Sequence, residues 1–236
     1  PTDHIATSLA IQPPDGHLLV SGYTSGLCAT EDFDVTFTSG FHFTPDAGFS
    51  SPLYGPTDQA CFVDASAVLP ADGSLREAGR VVDNTGTWTA MWQKVDANGA
   101  LTQAMLLFHM SPWGDNSPRK VLLVKNGTLT DSIRWVVVGF TGVDATGTPG
   151  AWAGRFRNDG SFDPLFGNGG STLINFDPQD NASGQAFGAA QDRYGRIIIV
   201  GTYDTGTSDP SGNDCTEIFA ARLQGLDTIF RDGFDG

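Results

Sequence analysis

An apolar run that closes on glycine recurs along this chain at a nearly constant interval. HLLVSG closes at Gly22, SLREAG at Gly79, IRWVVVG at Gly139 and RIIIVG at Gly201, separations of 57, 60 and 62 residues. Such a period marks a repeat architecture, in which each unit buries its apolar face only by stacking on a neighbour. Ahead of each run stands a turn signal: Asp15-Gly16, Asp72-Gly73, Asn126-Gly127 and Tyr194-Gly195. Asp-Gly and Asn-Gly favour the positive φ that two-residue hairpin turns require. Another apolar stretch precedes each turn (IATSLAIQ, CFVDASAVL, KVLLV and QAFGAAQ), so each unit opens with a β-hairpin.

A second hairpin follows. TFTSGFHF, TAMWQKV, AWAGRF and IFAARL alternate with the period of a strand. They run into turns ending at Gly48, Gly99, Gly160 and Gly225, and FSSPLYG, ALTQAMLLF, SFDPLFGNGGSTLINF and LDTIF then supply fourth strands. Four strands joined by three turns, repeated about every 60 residues, form the blade pattern of a β-propeller. The 236 residues therefore read as one all-β, β-propeller-like repeat domain. It holds four copies of a four-stranded antiparallel blade, at about residues 1–57, 58–116, 117–178 and 179–236. The last blade reads as incomplete, because after LDTIF the chain continues RDGFDG with no counterpart of STLINF. Its edge is then open to a strand from a partner or second copy, or closed by a short strand from TIFRDGF. The glycines serve turns or strand ends. GNGG at 167–170 is not a phosphate cradle, since it lacks the G-x-G-x-x-G spacing and a following helix.

The segment GRFRNDGSFDPLFGNGG (154–170), with DRYGRIIIVGT and FAARL downstream, resembles the delta-60 repeat of bacterial surface and secreted proteins. The third unit matches the second half of that repeat and the fourth its first half. The first two match only in skeleton, through Gly16, Gly22, Asp46 and Gly48, then Gly73, Gly79, Asn98 and Gly99. The resemblance implies a propeller-like fold and carries no catalytic motif onto this chain.

Composition narrows the partners. A formal net charge of -14 repels phosphate backbones and argues against a nucleic-acid partner. The longest apolar runs, such as WVVVGF and IIIVG, are strand-sized, so no helical membrane span is expected. The chain opens at Pro1 without Met, which fits a removed export signal or a start inside a longer chain. With the acidic composition this favours a secreted or cell-surface protein. Cys28, Cys61 and Cys215 lack metal-like spacing, and in an exported chain two of them would pair. Cys28–Cys61 joins neighbouring units and is the expected bridge; Cys28–Cys215 needs a closed ring of four.

In a four-stranded meander the connections between strands 2 and 3 share one end with the links between units. Those segments are long and dissimilar here: YTSGLCATEDFD, VVDNTGT, TGVDATGTPG and TYDTGTSDPSGNDCTE. Variable loops on a rigid scaffold are where binding resides. The candidate ligand contacts at this end are Trp113 and Asp115 in SPWGDN, with Glu31 and Asp32 in the first loop. The other four tryptophans, Trp88, Trp92, Trp135 and Trp152, lie in or beside strands and read as core. Calcium is the cofactor such loops would take, through Asp177, Asp180 and Asn181 in DPQDN and Asp209, Asn213 and Asp214 in SDPSGND. Most other acids read as solvated loop residues or as turn and Asx caps. No catalytic residue is assigned: there is no G-x-S-x-G elbow, and His4, His17, His42 and His109 do not cluster.

The function expected is a non-catalytic exported module that binds a protein, a glycan or another copy of itself through the acidic loop end. One alternative is a polysaccharide-acting enzyme using loop carboxylates. The other is a structural subunit that assembles through an open edge strand.

Overall fold

Asp-Gly turns set the hairpins. In the computed structural model Gly73 closes the PADG turn at φ 69° and Gly160 the RNDG turn at φ 88°, left-handed values open to glycine at little cost. The carboxylates beside them fasten the same turns. Asp72 Oδ1 accepts the Ser74 amide at 2.9 Å, and Asp159 Oδ1 accepts the Ser161 amide at 2.9 Å. The structure describes residues 4–13, 16–24, 27–37, 41–45, 49, 60–82, 86–109, 116–125, 133–142, 150–174, 184–208, 214–223 and 229–230.

The described residues form β-strands, turns and no helix, in four antiparallel sheets of four strands, each in sequence order. The chain divides into two compact units, Pro1–Phe108 and His109–Gly236. Unit 1 holds the first sheet, β1 (His4–Gln12), β2 (His17–Thr24), β3 (Leu27–Phe37) and β4 (Phe41–Pro45). Its second sheet is β5 (Ala60–Val68), β6 (Leu75–Val82), β7 (Trp88–Val95) and β8 (Leu101–Phe108). Unit 2 holds the third sheet, β9 (Asn116–Lys125), β10 (Ile133–Thr141), β11 (Ala151–Arg157) and β12 (Ser171–Ile174). The fourth is β13 (Gly184–Gln191), β14 (Ile197–Ser208), β15 (Asp214–Leu223) and β16 (Ile229–Phe230).

One irregularity recurs in all four sheets. The register between the first and second strands slips by one residue, leaving Thr7, Asp64, Arg119 and Phe187 as the extra, bulged residues. Opposite each bulge stands the repeat glycine: Gly22 pairs with Ala6, Gly79 with Val63, Gly139 with Pro118 and Gly201 with Ala186. A Cβ at these glycines would lie 2.0, 1.9, 2.2 and 2.0 Å from the carbonyl oxygens of Ile5, Phe62, Ser117 and Gln185. The glycines thus do not end strands, as the pattern suggested. Strand 2 runs on past each of them, and the bulge is what forbids a side chain there.

Within each unit the two sheets pack face to face. In unit 1, Leu19 and Cys28 of the first sheet pack with Leu75 and Val95, and with Cys61, Val63, Val81 and Met91, of the second. In unit 2, Val136, Val138, Ala151 and Ala153 of the third sheet pack on Ala186, Ile197, Ile199, Phe219 and Leu223 of the fourth.

Four strand assignments need correction, the first being that the fourth strand of the first sheet is β4 (Phe41–Pro45) and not FSSPLYG. TFTSGFHF is not one strand, because it spans the end of β3, residues 38–40 and the start of β4. The third strand starts earlier, at Leu27, and the connection from β2 is only residues 25–26. Cys28 and Thr30 are buried while Leu27 and Ala29 are half-exposed, the alternation of a strand. Likewise most of TYDTGTSDPSGNDCTE is strand, with β14 reaching Ser208 and β15 starting at Asp214. By contrast SFDPLFGNGG is turns, and only Ser171–Ile174 pair with β11. In the fourth sheet the short strand Ile229–Phe230 does pair with Leu223 and Arg222, the closing alternative the sequence allowed.

Candidate functional site

At the loop end of unit 1 the strand ends bring together a ring cluster and an ion pair. β6 carries Arg80 one residue past Gly79. β5 carries Phe62 and the bulged Asp64, and Trp88 opens β7. Arg80 donates from Nε to Asp64 Oδ2 at 2.8 Å and from a terminal nitrogen to Oδ1 at 3.0 Å, a bidentate pair. The guanidinium lies 4.3 Å from the Trp88 ring centroid and 5.6 Å from that of Phe62. Phe62 packs tilted on Trp88 at 5.1 Å and edge-on to Tyr23 at 4.5 Å. Tyr23, Phe62, Arg80 and Trp88 are each half-buried, so the cluster is held from beneath and open above. The bulge explains the pairing: the extra residue in β5 turns Asp64 toward the strand position just beyond the glycine.

The same end is stapled by the Cys28–Cys61 disulfide, Cα–Cα 5.0 Å, which ties β3 to β5. Both cysteines are fully buried. A bridge of this kind fits an oxidising compartment.

Other charged groups serve the scaffold. Asp163 is buried and accepts from Arg134 Nε at 2.8 Å and Arg155 Nε at 2.9 Å on Oδ2, and from the Leu165 amide at 3.2 Å on Oδ1. Burial alone would raise its pKa; the Arg134 hydrogen bond, the Leu165 amide and the two guanidinium charges outweigh that and hold it below the usual carboxylate range. This clamp explains the Arg-x-Arg-Asn-Asp-Gly and Ser-x-Asp spacing of residues 155–163, and Arg155 also lies 4.9 Å from the Phe166 ring. In unit 1, Glu77 is fully buried and accepts from Ser21 Oγ at 2.9 Å, from Gln93 Nε2 at 2.8 Å and from the Thr30 hydroxyl. Its neighbour Arg76 is buried as well, which pushes its guanidinium down to about 10, still cationic at neutral pH. A charged Arg-Glu pair inside the apolar run SLREAG was the sequence signal for this network.

The site residues expected from sequence are placed as follows. Glu31 and Asp32 stand in strand β3, paired with Val20 and Leu19, and not in a loop. Trp113 and Asp115, the calcium candidates Asp177, Asp180 and Asn181, and Asp209 and Asn213 lie outside the described residues. Asp214 opens β15, opposite Ser208. Among the described residues no group of three or more His, Cys, Asp or Glu is placed to hold a metal ion, and no helix is long and apolar enough to cross a membrane. Trp92, Trp135 and Trp152 are fully buried, whereas Trp88 is not core but the half-open floor beneath Arg80. Sequence reasoning missed Arg80, Asp64, Phe62 and Tyr23, because they converge only through the bulge and the pairing of neighbouring sheets. Comparison with models of known protein families and with curated proteins finds no match to this chain.

Proposed function

We propose that this chain is a non-catalytic, exported repeat module of β-propeller-like organisation, similar to delta-60 repeats, that binds a glycan or a protein at its loop end. The observation that carries the reading is the Tyr23–Phe62–Trp88 cluster with Arg80 pinned across it by Asp64. A half-open cluster of aromatic rings with a cation fixed across it is a recognition surface, offering apolar contact and directional hydrogen bonds at low entropic cost. The disulfide beneath it and the recurring bulges supply a rigid base. Among the described residues the buried acids Glu77 and Asp163 serve as a seam acceptor and an ion-pair partner, which also supports a scaffold role. Candidate contacts Trp113 and Asp115, and calcium bound through the acidic loops, belong to the same proposal.

A glycan array probed with the purified chain tests it. Binding to a defined set of glycans should weaken about tenfold in a Trp88→Ala variant of unchanged circular dichroism. Release of shortened glycan on incubation would replace the module with the enzyme reading, and equal binding by wild type and variant would remove the cluster from the site.

A further inference from the structure

The seams inside the two units are built alike, and that likeness identifies two unfinished surfaces. In each unit, one face of the leading sheet is covered by the opposite face of the next. On the leading sheets the covered positions are Ser21, Thr30 and Cys28 in the first and Val138, Ala153 and Ala151 in the third, all fully buried. The residues at those positions in the fourth sheet are Val200, Ala220 and Ile218. There Val200 is 45% exposed, Ile218 85% exposed and Ala220 exposed.

The receiving face shows the converse. Leu75 and Glu77 in the second sheet and Ile197 and Ile199 in the fourth are covered at their seams. The equivalents in the first sheet are Leu18 and Val20, which are only half-buried. Beside them on β1, paired with Val20 and Leu18, stand Leu9 at 62% and Ile11 at 65% exposed. At the place of Leu9 the second sheet has buried Ser66, and the fourth has Ala189 packed against its core.

We propose that a second copy of this chain docks head to tail, the fourth sheet of one copy seating its Val200–Ile218 face on the Leu9–Ile11 face of the first sheet of the next. The occupant follows from the seams themselves: each such face, wherever it is covered inside a unit, is covered by a sheet of the same repeat. Rows of large apolar side chains on an open sheet face mark an association surface. Because the two faces differ, the contact is heterologous and extends beyond a dimer into a closed ring or a filament. The proposal rests on the repeat equivalence and is independent of ligand binding at the loop end.

Sedimentation of the purified full chain over a wide concentration range tests it, with two variants at exposed positions, Leu9→Lys and Ile218→Lys. Wild type should show a mass rising past dimer with concentration. Each variant alone should stay monomeric, because a lysine would be buried unpaired in every contact it could make. Their equimolar mixture should stop at dimer, since one intact face of each kind remains. Both variants should keep the wild-type circular dichroism and glycan-array profile. A wild type that is monomeric at all concentrations would overturn the proposal, as would variants that assemble like wild type. Either result leaves the loop-end reading standing, because the array reads that separately.

Discussion

The two units place opposite chemistry on one backbone plan. In unit 1 the seam between sheets is polar: Ser21 and Thr30 reach across to Glu77, which Gln93 also holds, and Cys28–Cys61 closes one end. At the same positions unit 2 has Val138 and Ala153 against Ile199 and Ala221, with Ala151 and Gly184 where the cysteines stand. Yet the bulge, the repeat glycine and the register agree in both. The backbone irregularity therefore specifies how the hairpins form, and the seam chemistry is free to vary upon it. The polar seam needs every acceptor and donor matched, because an unpaired group in a dry interface costs more than the bond returns. The apolar seam needs only shape and area.

The sharpest way to break the comparison is at the element the units share. Gly79→Ala and Gly201→Ala each drive a Cβ to within 2.0 Å of a neighbouring strand's carbonyl oxygen. Each should cost about 4 kcal/mol or more, the range of exceptional single substitutions, and should do so equally in the two units. Gly86→Ala is the control: its Cβ would meet nothing within 4 Å although its φ is 85°, so only the strained backbone counts, at about 1 kcal/mol. Urea unfolding measures all three. A mild effect at Gly79 would mean that the bulge relaxes and does not fix the register.

A smaller effect separates the seams. Glu77→Ala removes the acceptor that Ser21, Thr30 and Gln93 share, leaving the two hydroxyls their bond to each other and the Gln93 amide without that partner, and should lose about 3 kcal/mol. Rebuilding the whole seam in the image of unit 2, as Ser21→Val, Thr30→Ala, Glu77→Ile and Gln93→Ala together, should recover most of that, to within about 1 kcal/mol of wild type. If the fourfold variant were as unstable as the single one, the polar network would be specifying the packing of unit 1 and not merely satisfying it.

The repeat, the hairpins and the strand-poor 154–170 segment's motif were legible because glycine and Asp-Gly punctuate the chain and the period-2 pattern is local. The bulges were not legible. Nothing in IATSLAIQ or CFVDASAV distinguishes a residue that is paired from one that is squeezed out, and the partner glycine reads equally well as a strand end. The first unit's third strand was misplaced for a related reason: the glycine at position 26 and the acids Glu31, Asp32 and Asp34 look like loop, while the burial of Cys28 and Thr30 depends on a neighbouring sheet. The candidate site shared that fate. Aromatic and charged residues scattered at 23, 62, 64, 80 and 88 have no common spacing and meet only through tertiary pairing.

The smallest effect expected is the response of the Asp163 clamp in unit 2 to acid. Asp163 in unit 2 has a folded-state pKa below the unfolded carboxylate value, because the Arg134 and Arg155 contacts and the Leu165 amide prevail over burial. A depressed pKa contributes stability that is complete above the unfolded value, near 3.9, and fades as pH falls through the lower folded one. No change is expected between pH 6 and 8. Below about pH 4 the melting temperature should fall as this group protonates, and the loss should be local. Hydrogen exchange of the Arg155 and Asp163 amides, which bond to Gly170 and Arg155 carbonyls, should quicken before that of the seam strands β13 and β14. An Asp163→Asn variant should exchange at those amides without the acid-dependent step. Uniform acid exchange across both units would mean that the clamp carries no more stability than an ordinary turn.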